Sequence, residues 1–163
     1  LLRNCAIVFF ANFIGAVGIA LLVALSGQDQ MNAGAVGLQM TKIATYKTSM
    51  PFAEAFFKAV LCNLLVCLAV WCAAAGRSLI DKMAAVVLPV AAFVAGGFEH
   101  SVANMYFISL GIFLNVLSPT VIESPSLSLM GMGWSLVPVT LGNILGGSVM
   151  VGLVYTVIYR RPR

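Results

Sequence analysis

The residues of this chain best able to do chemistry crowd into one place. Glu99, His100 and Ser101 stand together inside the run from Met83 to Leu117, which is otherwise apolar and longer than one membrane crossing requires. A charge at the centre of a bilayer costs at least about 2.5 kcal/mol on insertion scales, so an ionisable pair there calls for a polar pathway or a polar partner. A hydrogen-bonded structural pair is the plain alternative, but in an interrupted membrane helix a histidine points to function. The interruption is written as Gly96-Gly97-Phe98, just before the pair, and it splits the run into two half-helices.

Ser101 is placed to cap the second half-helix, whose free amide groups and positive dipole end favour an anion beside His100. An arriving anion stabilises imidazolium, so His100 is expected to hold an extra proton while an anion is present. Glu99 is harder to use, because a fixed negative charge would repel that anion, and it is read as a structural brace. Asn104, one turn further on, either lines the path or hydrogen-bonds between helices; packing is the reading adopted.

These groups must be positioned by membrane helices. Of 163 residues 61% are hydrophobic and only 9% charged, against roughly 25% charged in soluble domains, and mean hydropathy is +1.05. A closed barrel is excluded, since barrel strands alternate apolar and polar residues. The formal charge of +4 sits mainly at the flanks of apolar runs, so it reports orientation and not a nucleic-acid surface. Cys5, Cys62, Cys67 and Cys72 lie in apolar runs without CxxC spacing, and the single histidine cannot complete a metal site with them. They read as small hydrophobes, and neither metal nor cofactor is expected.

The runs predict helices over about 5–25, 51–75, 83–96 with 101–117, and 136–158. The first lacks a small-x-small cleavage site and is read as a retained span, not a signal peptide. A polar connection carrying Lys42 and Lys47 is expected from Ser26 to Ser49. Pro51 suits a helix start, and Glu54 and Lys58 are spaced as an i, i+4 pair. A short segment around Trp134 should precede the last helix, with Trp134 and Tyr159 as interfacial anchors. If the broken helix crosses once, Arg3, Arg77, Lys82, Arg160, Arg161 and Arg163 share a face opposite Lys42 and Lys47, which makes the first face, and the C-terminus, cytoplasmic.

The first and last helices echo each other. Asn12-Phe13-Ile14-Gly15-Ala16 answers Asn143-Ile144-Leu145-Gly146-Gly147, and Gly142 and Gly146 form a GxxxG packing face. Read as the closing helices of two inverted repeats, they imply that the first repeat has two further helices upstream, so the chain is expected to be one part of a longer polytopic all-α protein.

Three strings now carry a resemblance: GFEHSVANM from Gly97 to Met105, CNLLVCLAVW from Cys62 to Trp71, and LGNILGG from Leu141 to Gly147. They are similar to the formate/nitrite transporter family, over nearly the whole chain. The resemblance implies an aquaporin-like inverted-repeat bundle, of which this chain supplies the third to sixth helices and lacks the first two. It further implies a homopentamer in the bacterial cytoplasmic (inner) membrane, with one pore per protomer.

By that resemblance His100 matches the histidine at the pore centre, Lys47 a lysine facing the outer vestibule, Asn63 a pore-side asparagine, and Phe93 a position of the cytoplasmic constriction. The substrate expected is a small monovalent anion, formate first because GRSLIDK resembles the formate branch, with nitrite or hydrosulfide next and protons as possible co-travellers.

Burying a bare anion costs tens of kcal/mol in the Born limit and its neutral acid only a few, so hydrogen bonding or protonation at His100 would lower the barrier. A membrane enzyme using Ser101 and His100 is disfavoured, because adjacent residues at a helix start rarely aim at each other and no GxS elbow is present. A neutral-solute channel lacks its paired NPA tripeptides here, and a purely structural membrane subunit is the remaining rival.

Overall fold

The structure is a computed structural model that describes residues 2–118 and 124–159. The basic residues Arg160, Arg161 and Arg163, used above to orient the chain, lie outside the described residues. The helices are α1 (Leu2–Leu25), α2 (Ala35–Ser49), α3 (Phe52–Ala75), α4 (Leu79–Ala95), α5 (Ser101–Leu117) and α6 (Leu129–Ile144), which runs on through a π-helical stretch, Leu145–Leu153, into α7 (Val154–Tyr159). Leu2–Leu25, Phe52–Ala75 and the continuous run Leu129–Tyr159 are each long and apolar enough to cross a membrane. Their exposed faces carry large apolar side chains such as Phe10, Ile14, Leu22, Val70 and Leu141, the pattern of helices solvated by lipid.

By their contacts the residues gather into two compact units: 1–51 with 101–136, and 52–100 with 137–163. In the first, α5 packs against both α1 and α2. Ala20 and Ala24 of α1 close on Leu110 and Leu114 of α5, small residues meeting large ones so that the backbones come near. The sequence reading placed only a polar connection between Ser26 and Ser49, yet most of that stretch, Ala35–Ser49, is helix α2. Its buried stripe is Gly37, Thr41, Ala44 and Thr48, at helical spacing but without a large hydrophobe. The threonine hydroxyls vanish into the helix by donating to carbonyls one turn back, Thr41 to Gly37 at 3.0 Å and Thr48 to Ala44 at 3.3 Å.

In the second unit α3 packs against α4 and against the π stretch. A Cβ on Gly142 would strike the carbonyl of Phe56 and the Ala59 methyl, and one on Gly146 would strike the carbonyl of Val60. The GxxxG face is thus where the last helix lies directly on the α3 backbone. The expected Glu54–Lys58 pair is formed at 2.7 Å. The segment around Trp134 is no separate piece: it is the first part of α6, and Pro138 inside α6 does not end the helix. Cys62 is buried, Cys67 is half-buried, and Cys5 and Cys72 are exposed on apolar helix faces of this chain, outside its own core.

Helix α4 starts before its apolar run does, at Leu79, because Ser78 and Asp81 build a capping box. Ser78 Oγ accepts from the Asp81 amide at 3.1 Å, and Asp81 Oδ2 accepts from the amides of Ser78 at 2.9 Å and Arg77 at 3.2 Å. These hydrogen bonds, the Ser78 amide first, hold the exposed Asp81 carboxyl below the usual aspartate range.

Candidate functional site

The break between α4 and α5 is built by a specific backbone device. Gly97 takes φ +63°, a left-handed conformation that an L side chain resists. With that turn the amide of Phe98 donates to Phe93 O at 3.0 Å and the amide of Gly97 to Val94 O at 3.1 Å. This is a Schellman end, which satisfies the last carbonyls of α4 and sends the chain off in a new direction. Five residues, 96–100, separate the end of α4 at Ala95 from the start of α5 on Ser101. Ser101 is therefore the first helical residue, and His100 holds the position before the helix that was assigned to a cap.

Backbone that leaves a helix within a membrane must find partners inside the protein. Here the partner is Asn143. Its Nδ2 donates to Glu99 O at 3.0 Å and to Ala59 O at 2.9 Å, while the Glu99 amide donates to Lys58 O at 3.4 Å. One buried side chain on the last helix thereby fixes the residue next to His100 against α3. The Asn143 carbonyl in turn accepts from Asn63 Nδ2 at 2.5 Å. That bond lies just before the α-to-π change at Leu145, a kind of distortion that recurs at functional sites. Gly147 leaves the room: a Cβ there would meet Asn63 Nδ2.

Around this clamp the structure gathers Asn63, Phe93, Glu99 and His100 of the sequence-derived set. The rings of Phe93 and His100 face each other with centroids 6.3 Å apart and planes 24° from parallel, both half-buried. Phe93 also supplies the carbonyl that takes the Phe98 amide, so the constriction candidate and the helix break are one construction. Glu99 is only 2% exposed, and its main chain is what the clamp grips.

The other three residues belong to the first compact unit. Lys47 is not in a loop but in the last turn of α2, where a cation complements the helix dipole. Its ammonium lies 5.7 Å from the centre of the Phe107 ring on α5, within cation–π range. Asn104 is fully buried and donates from Nδ2 to Ser135 Oγ at 3.2 Å, a tie from α5 to α6. Ser101 opens α5. Sequence reasoning passed over Asn143 and Phe107 as site residues. Asn143 stood in a quoted motif, but nothing local announced that its partners are carbonyls 44 and 84 residues away.

The formate/nitrite transporter model matches residues 1–157, nearly the entire chain. The chain belongs to the formate/nitrite transporter family. Among curated members of that family, the formate channel FocA of Escherichia coli K12 is 45% identical over 171 residues, covering 99% of this chain and 60% of FocA. The nitrite transporter NirC of the same organism is 37% identical over 147 residues, covering 90% of this chain and 51% of NirC. A solved pentameric formate channel with formate bound superposes with a TM-score of 0.92 at 36% identity, covering 99% of this chain and 67% of that one. The chain thus spans 51% to 60% of the length of these curated relatives. It is an all-α, multi-pass membrane chain with the fold of this transporter family.

Proposed function

We propose that the protein to which this chain belongs passes small monovalent anions across a bacterial inner membrane, formate foremost, through a pore in each protomer of a homopentamer. The observation that carries this reading is the helix break that presents His100 beside Phe93 while its neighbour Glu99 is locked by Asn143. A membrane protein has reason to keep such a break only where non-helical backbone lines a cavity or path. The likeness to FocA and to the pentameric formate channel supports formate as the anion and five as the subunit number.

In this reading Lys47 draws the anion into the outer vestibule, held over Phe107. The anion then meets His100, which hydrogen-bonds or protonates it so that a neutral or neutralised species crosses the apolar constriction at Phe93. Asn63 orients the neighbouring backbone through Asn143. The positive charges at Arg77 and Lys82 support a cytoplasmic α3–α4 connection and, with it, a cytoplasmic C-terminus.

The 37% identity to NirC favours nitrite as the second reading. The test is competition: proteoliposomes holding the full-length protein are loaded with labelled formate uptake medium and challenged with nitrite, acetate or chloride. Formate flux that saturates and is inhibited less by nitrite than by unlabelled formate supports the first reading. Flux driven better by nitrite replaces it with the second, and no flux of either removes the channel reading.

A further inference from the structure

Asp29 is a buried carboxylate that the pore reading does not use. It lies in the short 3₁₀ turn Gln28–Gln30 between α1 and α2 and is only 4% exposed. Ser118, just past the end of α5, donates its hydroxyl to Asp29 Oδ2 at 2.6 Å, a short charge-assisted bond across 89 residues of sequence. Beside the pair is a cavity of about 230 Å³, bounded by the last turn of α1, the last turn of α5, and Gly27, Asp29, Gln30 and Ser118.

Among the described residues, the side-chain charge around this cavity is negative. Both helices that end on it present their carbonyl ends, each equivalent to roughly half a negative charge, and neither α1 nor α5 has a basic residue in its last turn. The carboxylate adds a full negative charge. None of the residues lining the cavity is basic. The start of α2 is near, since a Cβ on Gly37 would come within 2.9 Å of the Asp29 carbonyl. Three of its first amides are engaged elsewhere, Ala35 with Asn32 O, Val36 with Met31 O and Leu38 with Gly34 O, so these three do not serve the carboxylate.

Buried negative charge of this kind is stable when a cation completes it. We infer that the cavity binds a monovalent alkali cation of sodium's class, held by the Asp29 carboxylate, the Ser118 hydroxyl, the Gln30 side-chain carbonyl and backbone carbonyls at the ends of α1 and α5. One carboxylate with neutral oxygens suits a singly charged hard ion better than calcium, which takes six to eight oxygens. Among the described residues there is also no cluster of three or more His, Cys, Asp or Glu that would hold a transition metal. Gln30 is exposed and marks the entry from water. The bound ion would fasten the α1–α2 connection to the end of α5.

The test uses the full-length protein in detergent micelles, with ²²Na⁺ binding and thermal unfolding measured in sodium chloride or choline chloride at equal ionic strength. The expected result is saturable ²²Na⁺ binding, a melting temperature higher in sodium than in choline, and affinity weakened about tenfold or more by Asp29→Asn, which keeps the Ser118 bond. Gln30→Leu, at the exposed mouth, provides a second variant that should also weaken binding without touching the buried pair. Wild-type binding no stronger than that of Asp29→Asn and Gln30→Leu, or equal melting in sodium and choline, overturns the assignment. Anion flux is not the readout, so failure here leaves the pore reading untouched.

Discussion

The side-chain amide of Asn143 donates to the carbonyl of Glu99 at 3.0 Å, and so the last helix of the chain holds the residue next to His100. Asn143 closes this link and, with the same nitrogen, the link to Ala59 on α3 at 2.9 Å. Both acceptors are backbone groups that a helix break leaves in need of a donor. The geometry of the proposed pore centre therefore depends on a residue that never has to touch the anion.

Replacing Asn143 by Asp keeps its shape and removes both donations. Each carbonyl left without its donor costs about 1–3 kcal/mol, so Asn143→Asp should lower the thermal midpoint of the purified full-length protein and abolish flux. Unfolding followed by tryptophan fluorescence alongside proteoliposome flux checks this. A variant with wild-type midpoint and flux would show that the clamp is dispensable.

Gly146 and Gly152 lie on the same π-helical stretch but differ in what surrounds them. A Cβ at Gly146 would collide with the carbonyl of Val60, whereas one at Gly152 meets nothing nearer than Gly147 O at 3.5 Å. Gly146→Ala should destabilise by about 1–3 kcal/mol as α3 is pushed away. Gly152→Ala should be close to neutral, or slightly stabilising, in the same detergent-melting assay.

Much of this was legible in the sequence, and the reasons differ by element. The helix break was readable because Gly96-Gly97 and the ionisable pair Glu99-His100 interrupt an apolar run that is too long for one helix. The GxxxG face was readable because small residues at that spacing have few other uses in a membrane. Helix α2 was missed because its buried face is Gly37, Thr41, Ala44 and Thr48, which carries no hydrophobic periodicity to detect. The Asn143 clamp and the Asp29–Ser118 bond were illegible for another reason: each joins groups 44 to 89 residues apart in sequence, and no local pattern encodes such pairing.

The cap on α4 titrates. Since the carboxyl of Asp81 is held below its ordinary value of about 3.9 by the Ser78 and Arg77 amides, its contribution to the helix start is present above that value. It is lost as pH falls through the lowered folded value, where protonation removes the acceptor. Hydrogen exchange should therefore show the amides of Arg77 and Ser78 protected near neutral pH and unprotected in strong acid. Asp81→Ala should show the unprotected pattern at every pH.

Phe107 lies under the Lys47 ammonium at 5.7 Å. Cation–π contacts contribute about 0.5–2 kcal/mol, so Phe107→Leu should raise the formate concentration for half-maximal flux by about threefold, and Phe107→Tyr should restore it. In a Lys47→Ala background Phe107→Leu should have no further effect. An equal loss in both backgrounds would mean that the ring acts through packing alone.

The most direct measurement of the central claim is formate flux into proteoliposomes carrying the full-length protein, wild type against His100→Phe, with internal pH recorded at the same time. The phenylalanine preserves a ring opposite Phe93 and removes the nitrogen atoms. Saturable flux in the wild type, lost or grossly altered in a variant that still assembles and melts normally, is the predicted result. Unchanged, saturable formate flux through His100→Phe would contradict the account.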